Sequence, residues 1–269
     1  MKKNIHDKYD YLKTFIGNLG NAVIAFSGGV DSTFLLKVAY NMLGDSVIAM
    51  TAVSPTYPSI ELEDARTLAK AIGVKHVLVK TGEFEDESYL ANTPDRCFFC
   101  KQDLFLILRE EADKAGIEHI IYGANADDLK DFRPGMKAAE KANAIAPLLE
   151  AGLTKDEIRI LSKELGLSIW NKPSFACLAS RIPYGTRITE KVLSRIEHGE
   201  ELLRKLGFKQ LRLRYHGDIA RIEVLPEDIS GIVKQETRVQ ILKGLKKLGF
   251  KYVTIDLEGY RTGSMNPPK

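Results

Sequence analysis

The chain has 269 residues, enough for one large or two moderate domains that each bury a core. Its 39 Lys and Arg stand against 36 Asp and Glu, a net charge of +3, so no strong basic field points to nucleic acid. No apolar run approaches the ~18 residues of a membrane span, Met1 to Asp7 carry no signal-peptide core, and three cysteines cannot pair without a leftover thiol, so a reducing, cytoplasmic setting is expected.

Residues 7 to 19 predict an amphipathic helix with Tyr11, Leu12, Phe15, Ile16 and Leu19 on one face. The apolar run Ala22 to Phe26 predicts a strand, and Phe34 to Ala39 fit a helix. Between them lies Ser27-Gly28-Gly29-Val30-Asp31-Ser32. Two glycines let the backbone turn sharply and come close to a ligand, while the first N–H groups of the helix and its positive dipole end face an anion. Phosphate is the expected anion. A Walker loop needs a lysine that is missing here, and the G-x-G-x-x-G spacing of a dinucleotide fold is also missing. An ordinary strand-to-helix turn with a Ser or Asp cap is the bland alternative.

Further strands are predicted at Ser46 to Ala52, Lys75 to Val79 and His119 to Gly123, with helices near Ile60 to Ile72, ended by Gly73, and Lys101 to Lys114. Alternating strands and helices imply a parallel sheet covered on both faces, with its ligand beyond the carboxyl ends of the strands. The glycine loop lies at such an end. So does Gly123-Ala124-Asn125-Ala126-Asp127-Asp128, followed by Asp131, Arg133 and Pro134. Asn125, Asp127 and Asp128 are suited to orient a nucleotide or hold Mg²⁺, and Arg133 to neutralise departing phosphate. A solvated Asn/Asp turn has the same composition.

Thr154-Lys155-Asp156-Glu157 is a capping box for a helix that stops at Gly166. From Trp170 to Gly185 periodicity fails and Pro and Gly punctuate the chain, which marks a junction. The expected division is therefore 1–169, a junction at 170–186, and 187–269. In the last part, Leu203 to Lys209 is echoed by Leu245 to Lys251, with the alternating strand Ile219 to Leu225 between them, predicting two helices on a small sheet. The basic residues from Lys234 to Lys251 read as a solvated helix face. On the strand Leu211 to Tyr215 the pleat sends Arg212 and Arg214 to one face. Two guanidiniums side by side call for an anion, either Glu200 beside Gly199 or a phosphate on a substrate, unless they are plain surface charge.

Cys97 and Cys100 open the long helix, and Cys177 lies 77 residues beyond Cys100 in the junction. A CxxC pair alone fits a zinc half-site, a redox pair or packed thiols. A structural zinc would need one of the five histidines as its fourth ligand. Three thiolates without a fourth instead suggest a four-iron cluster with one iron left open, able to bind a reactant.

With these residues in view the chain resembles the LarE family of sulfur transferases, within the PP-loop ATP pyrophosphatases. Ser27 to Ser32 match the SGGxDS signature at every family position, and the shared marks extend through Gly123 to Asp128, the Trp170 to Tyr184 junction, the Glu200, Arg212 and Arg214 group, and Gly263-Ser264-Met265-Asn266. The resemblance implies an α/β fold, a Rossmann-like PP-loop domain with a parallel sheet and a smaller C-terminal α+β domain for substrate and oligomer contacts. It implies that the loop wraps the β and γ phosphates of ATP. A carboxylate of pyridinium-3,5-biscarboxylic acid mononucleotide would be adenylylated with release of pyrophosphate. Sulfur would then replace AMP, giving a thiocarboxylate for the nickel-pincer cofactor of lactate racemase.

Cys177 matches the family's sulfur-bearing cysteine, Arg181 follows in the same motif, and Asp31 joins them as a catalytic residue. Glu200, Arg212 and Arg214 match positions associated with the substrate or its phosphate. In one branch the cysteine gives up its own sulfur and becomes dehydroalanine. The added Cys97 and Cys100 resemble the branch in which three cysteines hold a [4Fe-4S] cluster whose open iron carries hydrosulfide. Implied partners are the mononucleotide, a sulfide source and further copies of the chain. The competing classes are a PP-loop tRNA thiolase, whose salt-dependent RNA binding the modest charge disfavours, a non-catalytic nucleotide-binding protein on the same fold, and a zinc-stabilised amide-forming ligase.

Overall fold

The structure is a computed structural model, and it describes residues 4–130, 134–173, 176–261 and 265. In chain order the helices are α1 (Ile5–Gly17), α2 (Val30–Leu43), α3 (Ser59–Ile72), α4 (Glu87–Leu90), α5 (Arg96–Lys114), α6 (Pro134–Lys141), α7 (Pro147–Glu150), α8 (Lys155–Glu164), α9 (Glu190–Lys205), α10 (Ile229–Val233) and α11 (Gln235–Lys247). The strands are β1 (Ala22–Ala25), β2 (Val47–Val53), β3 (Lys75–Lys80), β4 (Ile120–Tyr122), β5 (Leu211–His216), β6 (Ile219–Val224) and β7 (Tyr252–Ile255). The chain divides into one unit of Met1–Tyr89 and Asp95–Phe175 and another of Leu90–Pro94 and Ala176–Lys269.

The first unit carries a parallel sheet in the order β3-β2-β1-β4. Consecutive residues of β1 feed opposite cores, as the pleat requires. Ala22 and Ile24 pack with Leu12 and Ile16 of α1, Phe34, Leu35 and Leu36 of α2, and Leu161 of α8. Val23 packs on the other side with Leu104, Phe105 and Leu108 of α5. Because β1 is central and buried on both faces, the chain leaving it is held rigidly at the carboxyl edge. Neighbouring β4 ends at the same edge. This is the Rossmann-like arrangement expected of a PP-loop domain.

The second unit has a mixed sheet in the order β5-β6-β7, antiparallel between β5 and β6 and parallel between β6 and β7. Leu203 of α9, Leu245 of α11 and Phe250 pack on Leu211, Leu213, Ile222 and Val224. Gly199, a poor helix residue, is explained by this packing: a Cβ there would lie 2.2 Å from Leu213 Cδ2. A Cβ on Gly244 would lie 2.3 Å from Leu202 Cδ2.

Two local expectations are corrected. Tyr11 is exposed while Leu12 and Ile16 are buried, so α1 turns a narrower stripe inward. Helix α5 opens at Arg96 rather than near Lys101, which puts Cys97 and Cys100 inside its first turns. Among the described residues no helix is long and apolar enough to cross a membrane.

Candidate functional site

In the first unit the turn after β1 is shaped for close approach. Gly28 has φ +63°, and a Cβ there would sit 3.1 Å from Cα and Cβ of Ala65 on α3, so a side chain is disfavoured by both conformation and space. Ser32 closes the loop. Its hydroxyl donates to the Gly29 carbonyl at 3.2 Å, accepts from Ser27 N at 3.3 Å, and lies 3.1 Å from Ser27 Oγ. Gly29 is the N-cap of α2 and offers no side chain to cap it, so the N–H groups of Val30 and Asp31 at the helix opening are left for an anion. A Cβ on Gly123, at the exit of β4, would lie 3.0 Å from Ser32 N. The two predicted segments therefore touch.

Asp31 is the point where they converge. Lys155 Nζ lies 2.7 Å from its Oδ2, and Asn125 Nδ2 donates to the same oxygen at 3.4 Å. Asp31 Oδ1 is buried with no hydrogen-bond partner. The backbone N–H of Lys155 donates to Asp127 Oδ2 at 2.9 Å, Asp127 N donates to Asn125 Oδ1 at 2.9 Å, and Asn125 N donates to Asp128 Oδ2 at 3.0 Å. One oxygen of each adjacent carboxylate thus shapes the turn or caps α8, so the Asn/Asp turn is architecture as well as a source of ligands. An orphaned carboxylate oxygen beside an uncapped helix opening fits a divalent cation with polyphosphate. Lys155 was missed from sequence because its capping box explained the segment without it. Arg133 and Asp131 lie outside the described residues, as do Gly263, Ser264 and Asn266.

In the second unit Cys177 is half-buried and precedes a 3₁₀ turn at Leu178–Arg181. Arg181 is fully buried and wraps back on that turn. Its Nη1 donates to the carbonyls of Ala176 (2.6 Å) and Cys177 (3.0 Å), and its Nε and Nη2 donate to Glu200 at 2.9 and 3.2 Å. Glu200, on α9, also accepts from Arg204 at 2.8 Å and from Leu213 N at 3.1 Å. Burial alone would raise the Glu200 carboxyl, but Arg181, with Arg204 and Arg212, holds it below the usual carboxylate range.

Glu200, one of the two anions the sequence offers for Arg212 and Arg214, acts on Arg212 through its charge, and Glu223 joins it as a second buried carboxylate. Arg214 donates to Glu223 at 2.7 Å and to the Ser180 carbonyl at 3.0 Å. Arg212 donates to its neighbour's carbonyl and lies over the Tyr260 ring, 5.0 Å from its centroid. Neither arginine is plain surface charge, for both are buried. Glu223 escaped notice because its place beside the arginines depends on the β5–β6 register, which pairs Arg212 with Glu223 and Arg214 with Arg221. Burial, then the positive charge of Arg181, pushes the Arg212 guanidinium down to about 10. Among the described residues, Arg181, Arg204, Arg212, Arg214 and Arg221 meet Glu200, Glu223 and Asp256 here. Guanidiniums gathered in a poorly hydrated place suit a phosphate.

Cys97 is exposed and Cys100 half-buried, one turn apart at the opening of α5. They belong to the first unit and Cys177 to the second. Among the described residues, no three or more of His, Cys, Asp and Glu are grouped to hold a metal ion.

Comparison with known proteins adds independent findings. Residues 21–96 match the family model of the queuosine biosynthesis protein QueC. An uncharacterized protein of Synechocystis is 44% identical over 97% of this chain and 98% of its own length. The pyridinium-3,5-bisthiocarboxylic acid mononucleotide synthase of Lactiplantibacillus plantarum is 38% identical over 93% of this chain and 90% of its own. The tRNA-specific 2-thiouridylase of Desulforamulus reducens is 27% identical over 56% of this chain and 52% of its own.

Proposed function

The chain belongs to the LarE family of PP-loop sulfur transferases, and from that membership we propose that it uses ATP to adenylylate a carboxylate of pyridinium-3,5-biscarboxylic acid mononucleotide and then replaces AMP with sulfur. The observation that carries this reading is the attachment of the Cys177 turn to a cation-rich cluster. Arg181 holds the Cys177 carbonyl, and Arg214 reaches the carbonyl of Ser180 in the same turn. On this reading the cysteine that would carry sulfur and the arginines that would take the substrate phosphate are tied to one turn.

A carboxylate is a poor electrophile, and its oxygen is a poor leaving group at neutral pH. In the first step a substrate carboxylate oxygen attacks the α phosphorus of ATP; the bond to the β phosphate breaks and pyrophosphate leaves. The amide groups of Gly28 to Asp31 would take up the charge that develops on the departing group. Lys155 would add a positive charge there, and Asp31, through its unpartnered oxygen, would hold Mg²⁺ together with the phosphates, with Asn125, Asp127 and Asp128 shaping the turn that orients the nucleotide beside it. In the second step a sulfur nucleophile attacks the acyl carbon of the mixed anhydride and the bond to AMP breaks. Arg212 and Arg214 would anchor the mononucleotide phosphate, with Glu200 and Arg181 keeping the cluster and the Cys177 turn in place. Water must be excluded at both steps, since hydrolysis of the anhydride returns the starting acid.

Cys97, Cys100 and Cys177 would hold a [4Fe-4S] cluster. The donor chemistry fits, with thiols at exposed or half-buried positions and two of them one turn apart at a helix opening whose dipole favours anionic sulfur. When bound, the cluster supplies a soft iron without a protein ligand, suited to sulfide. Sacrificial donation by Cys177 draws on a different observation: Arg181 holds the Cys177 carbonyl and so fixes the turn that presents this cysteine.

The experiment is an anaerobic assay of pyrophosphate release and thiocarboxylate formation with the mononucleotide, ATP and sulfide. Product in several-fold excess over enzyme supports catalytic transfer; one product per chain with Cys177 lighter by the mass of H₂S assigns sacrificial donation. Pyrophosphate release that requires tRNA instead would move the chain to the thiouridylase class.

A further inference from the structure

The loop between β2 and α3, Ser54 to Pro58, has no part in the site described so far. Its shape is set locally. Ser54 Oγ lies 2.8 Å from Thr56 Oγ1, Tyr57 N donates to the Ser54 carbonyl at 3.0 Å, and Pro58 is the N-cap of α3. This delivers the half-buried Tyr57 to the glycine loop, where its phenol donates to the Ser27 carbonyl at 2.6 Å. Because β1 and β2 are paired neighbours, the two loops leave the sheet side by side.

We propose that Tyr57 is a positioning residue for the polyphosphate of ATP: by holding the Ser27 carbonyl it fixes the Ser27–Gly28 peptide with its N–H turned to the anion. The inference rests on the PP-loop reading above. In a trans peptide the C=O and N–H point in opposite directions, so a carbonyl committed to Tyr57 commits the Gly28 N–H to the other side. The carbonyl of Gly29 is turned away in the same manner, accepting from Ser32 Oγ and from Thr33 N at 2.9 Å. Gly28, at φ +63°, lacks the Cβ that would stiffen it, so without an external hold this peptide is the one free to flip. A flipped peptide presents a carbonyl to phosphate, which repels it. Burial, with Glu61 and Asp64 nearby, raises the Tyr57 phenol well above its ordinary value, so it remains a donor at any physiological pH.

The test is Tyr57→Phe in the full chain, with calorimetric titration of magnesium pyrophosphate and, separately, AMP. AMP lacks the β and γ phosphates, so it reports whether the nucleotide site is intact. Loss of one hydrogen bond acting through the peptide predicts pyrophosphate binding weakened about three- to tenfold, with AMP binding within about twofold of the parent. Equal weakening of both ligands, or of neither, overturns the positioning role. A parent protein that binds neither pyrophosphate nor ATP overturns the PP-loop reading itself, and is thereby distinguished from failure of Tyr57 alone.

Discussion

Lys155 Nζ lies 2.7 Å from Asp31 Oδ2, joining the first residue of α8 to the glycine loop 124 positions earlier in the chain. Its backbone N–H is held by Asp127, so the lysine is fixed at both ends. In this arrangement a cation is stored on a carboxylate that a metal ion would claim. On the function proposed above, Asp31 would hold Mg²⁺ and the ammonium of Lys155 would then be free to pair with the phosphates.

Lys155→Met should therefore weaken ATP more than it weakens the fold. The pair is partly exposed, so its stability contribution is screened and small. A charge-assisted hydrogen bond to phosphate is worth about 1.5–3 kcal/mol, which predicts roughly a 10- to 150-fold rise in KM for ATP in a pyrophosphate-release assay. An unchanged KM would remove Lys155 from the site.

Glu200 should link stability to pH at the acid end. Its carboxylate is fully buried among Arg181, Arg204 and Arg212, and its folded pKa lies below the unfolded value. Its stabilisation is therefore complete above the ordinary glutamate pKa of about 4.3 and is lost as pH falls through the lower folded value. Glu200→Gln leaves Arg181 without its buried counter-charge and should cost about 3 kcal/mol at pH 7. Urea unfolding of the second unit's signal from pH 7 to pH 3 should show the variant's deficit shrinking toward acid.

How much of this was legible beforehand depends on the range of the interaction. The strand, turn and helix that make up the glycine-loop segment and the capping box at Thr154 are local patterns, and the structure has them where the sequence places them. The Lys155–Asp31 pair, Tyr57 on Ser27 and Glu223 on Arg214 are not local. Each needs two elements brought together by sheet register or helix packing, which periodicity does not encode. Arg212 and Arg214 were seen as a pair, but their burial was not, because alternation puts them on a face that an isolated strand would leave to water.

Gly199 offers a packing test. The added Cβ of Gly199→Ala would meet Leu213 Cδ2 at 2.2 Å and Leu245 Cδ2 at 3.1 Å, both in the core. Alanine gains about 1 kcal/mol of helix propensity, and overpacking costs about 1–3 kcal/mol, so the clash should win. Leu213→Ala alone should lose about 2–5 kcal/mol. The double variant should be more stable than the sum of the two losses, because the methyl fills the space the leucine vacates. Strict additivity would show that the helix shifts away instead.

The cysteines carry the decisive prediction. Cys97→Ser and Cys100→Ser each remove one sulfur from the opening turns of α5, where a hydroxyl replaces an exposed or half-buried thiol without disturbing a core. Neither residue belongs to the glycine loop, so ATP binding should stay within about twofold of the parent. Anaerobically purified parent protein should hold about four iron and four sulfide per chain, and each variant should fall to a small fraction of that. Cys177→Ser should lose iron in the same way and should also abolish thiocarboxylate formation. If the three variants keep the parent's iron, the cysteines are not the ligands. If the parent is iron-free after reconstitution while Cys177→Ser alone is inactive, sulfur comes from Cys177 itself, and the turn held by Arg181 is the whole of the sulfur-donating apparatus.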